Sequence, residues 1–250
     1  MADPDPSSSA GRPRRVVLTG AGALAAGLAE GLVAGGAQVV LVGPDGADAG
    51  QGVLGHIPTG FDSSADTHGA FARAVARLGG VDQVVHTWLA PGLLAGCAFT
   101  SVVEDSWAAS CEASLDAAWW LARAAAVPLR ERGAGSMVFV VPTLGMSGAD
   151  GFAMLAAVAE GLRILAKGCG RQWGSTGVTV NTVTAAAQHW VAGPAGVELA
   201  RTISLADPAL GSTGDAATDL APLVEMLASP QAHFLSAATL VADGGVWMGL

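Results

Sequence analysis

Apolar residues along this chain fall into short continuous runs, separated by longer stretches with helical spacing. The runs at 15–19, 38–42, 56–59, 83–86, 136–141, 176–183 and 239–241 read as strands. Most lack an in–out alternation, which is how parallel strands buried on both faces read. Between them, 22–32, 69–78, 106–126, 152–167 and 215–227 carry apolar residues at helical spacing, with Pro222 placed to interrupt the last. The stretch 152–167 is the most apolar of the long helices, and its neighbours make sense if they pack around it. Residues 184–214 are rich in Gly, Ala and Pro and show no clear period. Strand and helix alternate throughout. That predicts an α/β fold with one doubly wound parallel sheet of about seven strands and helices on both faces. A single domain is expected over 14–250, after an Asp-, Pro- and Ser-rich tail at 1–13 that is expected to be disordered.

Composition sharpens this picture in a few places. Apolar residues make up 51% of the 250 and charged ones 13%, as suits a sheet covered on both faces. Net charge is -9, and no basic run stands out beyond Arg12, Arg14 and Arg15, so nucleic acid is not an expected partner. Cys97, Cys111 and Cys169 have neither metal-ligand spacing nor an even count, which points to reduced thiols in a cytoplasmic protein with no metal site. Arg14-Arg15 before an apolar run is similar to a twin-arginine export signal. Glu30 within the run and the strand that follows favour a folded strand, turn and helix instead, and no other segment reads as a membrane span. The chain has no tyrosine, and Lys167 is its only lysine, so a mechanism needing a phenol or a second ammonium is excluded.

The candidate chemistry begins at the first turn. Gly20-Ala21-Gly22-Ala23-Leu24-Ala25 lies between a strand and a helix, with another strand following. That is the context of a dinucleotide fingerprint: the first glycine permits the tight turn, and the second lets backbone N–H groups approach a pyrophosphate. Asp45, after the second strand, is either a displaced ribose reader or a plain turn residue. His86 closes the fourth strand, where ligands bind in open α/β sheets. It is the first candidate for acid–base work, the alternative being a hydrogen-bonded strand-end residue. His189, flanked by Gln188 and Trp190, lies in the excursion after the sixth strand and is either a site residue or an exposed loop histidine. Trp107, Trp119 and Trp120 line either a pocket or a subunit interface. Asp150 is placed to cap the central helix, and Glu160 to pair with Arg163.

Six segments together resemble the short-chain dehydrogenase/reductase family: TGAGALA at 19–25, VDQVVH at 81–86, GSMVFVV at 135–141, AEGLRILAK at 159–167, GVTVNTV at 177–183 and LVADGG at 240–245. The resemblance spans residues 14–248. It implies a Rossmann fold, a nicotinamide cofactor, and a dimer or tetramer built through the long helices. It assigns Asp62 to adenine contact, the alternative being a simple turn aspartate. The family's active residues do not carry over. Its Tyr-x-x-x-Lys pair falls on Phe152 and Ala156, its serine on Pro142 or Thr143, and its structural asparagine near Ser114. The glycine turn is one residue shorter than the family's usual form. The segment after the fourth strand reads His86-Thr87-Trp88-Leu89, and the Pro-Gly after the sixth becomes Ala185-Ala186.

These departures set the expectations. The nucleotide site, built on Gly20, Gly22 and Asp62, is expected to hold no NAD(P) or to hold it weakly. Any reaction is expected to depend on His86, Thr143 or His189, in a pocket shaped by Trp88, Phe152 and Trp190. An atypical enzyme, redox or non-redox, acting on a small apolar substrate is one reading. A catalytically silent subunit that pairs with and stabilises an active homologue is another, the assembly being expected to be a homo-oligomer or a hetero-oligomer with such a homologue. An NAD(P)H-dependent ketoreductase is the third.

Overall fold

The computed structural model describes residues 12–203 and 205–249. Most of the expected disordered tail, 1–11, lies outside the described residues. All strand pairings are parallel, in one seven-stranded sheet of order β3-β2-β1-β4-β5-β6-β7. The strands are β1 (Arg15–Thr19), β2 (Gln38–Gly43), β3 (Gly55–Pro58), β4 (Gln83–His86), β5 (Gly135–Pro142), β6 (Val178–Ala185) and β7 (Thr239–Val241). The helices are α1 (Gly22–Ala34), α2 (Ser64–Leu78), α3 (Glu104–Trp107), α4 (Ala113–Arg132), α5 (Leu144–Ser147), α6 (Ala153–Trp173), α7 (Gly193–Ile203) and α8 (Ala221–Met226). Strand order reverses between β1 and β4, and ligands of open α/β sheets bind outside the carboxyl ends of strands at such a switch point.

The core follows from the apolar runs. Val16, Val17 and Leu18 on β1, Val84 and Val85 on β4, and Met137 to Val141 on β5 are buried. Helices α2, α4 and α6 pack side by side over one face, while α1 and α8 cover the other. Gln83 ties the second layer to the sheet by donating from Nε2 to the Val224 carbonyl at 2.7 Å. Gly31 shows how tight that layer is. A Cβ there would lie 2.3 Å from the Ala217 carbonyl oxygen and 2.4 Å from the Ala221 Cβ. Gly31→Ala is therefore expected to destabilise the protein by about 1–2 kcal/mol. Overpacking of about 1–3 kcal/mol outweighs the better helix propensity of alanine. Chemical denaturation measures this, and an unchanged midpoint would mean α1 and α8 can slide apart freely.

Several elements differ from the sequence reading. Helix α2 starts at Ser64, because Ser63 caps it by accepting from the Asp66 N–H at 3.1 Å. The helix expected from 106 is split: α3, then a π turn at Ala108–Glu112, then α4 with Pro128 inside it. The excursion without a period contains α7. Asp150 does not cap α6; Phe152 holds the N-cap position without a side-chain bond. The Glu160–Arg163 pair is present, with Arg163 Nε donating to both carboxylate oxygens at 2.9 and 2.8 Å. The arginine pair belongs to the fold, Arg15 opening β1 and Arg14 preceding it. Among the described residues, no helix is long and apolar enough to cross a membrane.

Candidate functional site

The carboxyl ends of β1, β4, β5 and β6 carry the groups that matter. β1 ends in Thr19, and the turn to α1 is held by Gly20 donating to the Val42 carbonyl at 3.0 Å. Gly20 has no alternative here. The Thr87 hydroxyl, donating to the Thr19 carbonyl at 3.0 Å, occupies the space a Cβ would need, at 1.9 Å. Gly22 sits at φ 74, a left-handed conformation that glycine tolerates best. No side chain caps α1 and no acid lies in its first turn, so no side chain competes with an anion for the N–H groups of that turn.

The turn is shared with the segment after β6. Trp190 donates its indole N–H to the Thr87 carbonyl at 2.8 Å. Its own carbonyl oxygen lies 2.7 Å from the position a Gly22 Cβ would take. A nucleotide on this turn therefore needs the 187–191 segment to swing aside. Trp88 is buried and packs on Phe61, with ring centroids 4.9 Å apart. Asp62 is exposed beside that pair, and Asp45 is exposed in the turn after β2.

The structure removes His86 from the chemistry. Its ring is fully buried within the sheet, between the Thr19 hydroxyl, 2.8 Å from Nδ1, and the edge of Phe139. Burial pushes it down to about 3, so it stays neutral where imidazole normally exchanges protons. Its Nε2 has no partner among the described residues. His189 is half-buried, and its Nε2 lies 3.2 Å from the Thr213 carbonyl oxygen. A carbonyl only accepts, so that nitrogen carries the hydrogen. Gln188 donates to the Thr213 hydroxyl at 3.2 Å, and the two bonds pin this segment to residue 213.

Thr143, at the end of β5, behaves differently. Its N–H donates to the Ala185 carbonyl at 2.8 Å, while its hydroxyl is buried without a hydrogen-bond partner among the described residues. It lines a cavity of ≈ 420 Å³ walled by the end of β6, by α7 and by the loop that follows α7. Leu144, Ala187, Val197, Ile203 and Leu205 form its apolar wall, with Gln188, Thr213 and the charged Arg201 and Asp207 as polar neighbours. The volume falls within the about 300–1,000 Å³ of small-molecule sites. Trp88, Phe152 and Trp190, expected to shape the pocket, do not line this cavity. They are buried elsewhere: Trp88 on Phe61, Trp190 on Thr87, and the Phe152 ring against Gly96.

The central helix has no proton-donating side chain at Phe152 or Ala156, where the resemblance places the family's pair. Phe152 precedes its first turn, and the Ala156 N–H donates to the Phe152 carbonyl at 2.9 Å. Leu155 and Ala159 on the same helix are fully buried, with Ala159 packed against Gly145 just past β5. Ser114 sits where the π turn joins α4. Its hydroxyl donates to the Ser110 carbonyl at 2.7 Å and accepts from the Ala90 N–H at 3.0 Å, so it anchors the segment after β4. Asp243 anchors the C-terminal segment in the same way, accepting from Gly245, Val246 and Trp247 N–H groups at 2.9, 3.0 and 3.1 Å, and so places Val246 in the cavity wall. Along the sequence the LVADGG segment gives no sign of this anchoring role, because the N–H groups it holds converge only in the fold. No cluster of His, Cys, Asp and Glu suited to a metal ion occurs among the described residues.

Comparison with known proteins bears on this geometry. The profile of a family described as "Enoyl-(Acyl carrier protein) reductase" matches residues 20–247. The 3-oxoacyl-[acyl-carrier-protein] reductase of Vibrio cholerae is 30% identical over 172 residues, 69% of each chain. That of Escherichia coli is 27% identical over 237 residues, 88% of this chain and 91% of its own. Among solved structures, the Brucella melitensis 3-ketoacyl-(acyl-carrier-protein) reductase, complexed with NADH, superposes with TM-score 0.77 at 21% identity, covering 93% of this chain and 98% of that one. Levodione reductase superposes with TM-score 0.80 at 19% identity, covering 94% and 98%. The expectation of no nucleotide, or a weak one, is overturned by this company: the relatives are reductases, and a close structural neighbour holds NADH. The substitutions around the glycine turn change its walls but leave its backbone cradle in place. With the fold, the strand order and the family profile in agreement, the chain belongs to the short-chain dehydrogenase/reductase family, an oxidoreductase family.

Proposed function

We propose that this protein is a nicotinamide-nucleotide-dependent reductase of atypical chemistry, which takes a small, largely apolar oxo compound into the cavity beside Thr143 and supplies no side-chain proton donor. The observation that carries the reading is the unpartnered Thr143 hydroxyl in the wall of a ligand-sized apolar cavity at the carboxyl ends of β5 and β6. The Gly20–Gly22 turn and the first turn of α1 would hold the pyrophosphate, and the nucleotide, when bound, supplies a hydride. Thr143 donates a hydrogen bond to the oxo group and polarises it. A threonine hydroxyl is too weak an acid to give up that proton, so water reaching the cavity completes the reduction. The apolar walls orient the rest of the substrate, and the Gln188–Thr213 bond is released as the segment between cavity and glycine turn swings aside for the nucleotide.

Saturable binding of NADH or NADPH to the purified protein is the first expected result, and its absence would end this reading. Thr143→Val is expected to lower kcat/KM by about tenfold, the worth of about one hydrogen bond, with nucleotide affinity unchanged. Unaltered turnover in that variant would remove Thr143 from the site.

A second reading, a subunit that pairs with a copy of itself or with an active homologue, has its own support. Trp119 is 47% exposed and Val127 57% on α4, and Ile164 57% on α6, so both long helices offer apolar side chains to solvent. Light scattering on the protein alone and after co-expression with a homologue tests it. A stable monomer in both would sink it.

A further inference from the structure

At the opposite end of the sheet from the cavity, a groove of ≈ 680 Å³ opens beside the start of β5. Arg12, Arg14, Arg132, Asp82, Ser136 and Glu225 line it. The chain as a whole carries -9, yet here three guanidinium groups, with Arg15 behind them, face two carboxylates. Asp82 is fully committed: Arg12, Arg15 and Arg132 approach it at 3.3, 2.8 and 2.7 Å. Burial opposes its charge, but the Arg15 hydrogen bonds and the nearby Arg132 hold the carboxyl below its ordinary value. Arg14 has only Glu225, with Nη1 3.4 Å from Oε1.

The Ser136 hydroxyl is buried in this groove with no partner among the described residues, and Arg14 Nη1, also buried, has the 3.4 Å ion pair to Glu225 without a well-aligned hydrogen bond. Ser136 is 2% exposed. A buried donor without an acceptor costs about 1–3 kcal/mol, and more when charged. Neither is needed for the fold: Ser136 is held by its backbone, donating its N–H to the Asp82 carbonyl at 3.1 Å. A compact group with several acceptor oxygens would satisfy both, and a guanidinium matches the oxygens of a phosphoryl group in geometry and charge. Asp82 and Glu225 in the same walls repel a longer polyanion, which favours one phosphoryl group over a chain of them.

We propose that this groove binds a small molecule bearing a single phosphoryl group, with Arg14 and Ser136 as its direct donors and Arg12 and Arg132 at the rim. The site is separate from the cavity at Thr143 and from the glycine turn. Of the basic run that stands out in the sequence, Arg12 and Arg14 then supply ligand contacts, while Arg15 holds Asp82 in the fold.

Inorganic phosphate titrated into the full chain at constant ionic strength is the test, read by thermal unfolding and by broadening of the phosphorus NMR line. The expected result is a saturable rise in Tm and saturable broadening, at least tenfold weaker in apparent affinity in Ser136→Ala. That variant loses only an unpartnered hydroxyl and should fold; Arg14→Gln should lose the effect altogether if it folds. A response no larger than that to chloride would overturn the proposal. So would an equal response in Ser136→Ala, which would place the phosphate elsewhere.

Discussion

The free energy of unfolding is expected to fall by about 3 kcal/mol as the pH is lowered from 6.5 to 4, from His86 alone. The group is fully buried, and burial holds it at about 3 in the folded chain. In the unfolded chain it titrates near its ordinary value of about 6.5. The sign follows from where the proton binds. Above pH 6.5 neither state is protonated and His86 takes nothing from stability. Between 6.5 and 3 the unfolded state binds a proton that the folded state refuses, so stability drops by about 1.4 kcal/mol per unit. Below 3 the loss is complete. Urea unfolding at intervals across this range measures the slope, and His86→Gln should flatten it. The variant keeps a polar group near the Thr19 hydroxyl, with no imidazole to protonate. An identical slope in the variant would mean that the imidazole takes up its proton within the fold.

His86 also shows what the sequence could not convey. The four residues Gln83 to His86 are all buried, so the run gives no alternation from which to tell which way the last side chain points. Position in the strand suggested a site; the partners, Thr19 and Phe139, lie on neighbouring strands and are invisible along the chain. The same holds for Trp88 and Phe61, and for Trp190 and Thr87, contacts made across 27 and 103 residues. What was legible is local or periodic. The strands, the glycine turn, the Glu160–Arg163 pair and the loss of the phenol needed only short windows and a residue count. Helix α7 was missed because Gly193, Pro194 and Gly196 mask its spacing, although Val197, Leu199 and Ile203 do follow it. Thr143 was reached only through resemblance and with a slip of one residue. Its unpartnered hydroxyl, the feature that singles it out, exists only once β5 and β6 are side by side.

Turnover of a carbonyl substrate is expected to lie about 10²–10⁴-fold below that of the Vibrio cholerae reductase assayed alongside with saturating nucleotide, the cost of losing general acid help. No tyrosine exists anywhere in the 250 residues. The one lysine, Lys167, lies fourteen residues along α6 from its start at Ala153, about 21 Å at the helical rise of 1.5 Å per residue. It cannot act at the end of the helix that faces β5. The side chains that ordinarily titrate between about pH 7 and 9 are cysteine and amines, with an activated phenol drawn into the same range. The cavity is lined by no cysteine, lysine or tyrosine, and by no histidine. The rate should therefore stay level across that range. Thr143→Val lowers the whole profile without bending it, because a hydroxyl that only donates a hydrogen bond does not ionise there. A turnover matching the relative's, or a profile with an ionising limb, would show a proton donor reaching the substrate from outside this cavity. Nucleotide binding without reduction of any carbonyl compound would leave the pairing role of α4 and α6 as the function to pursue.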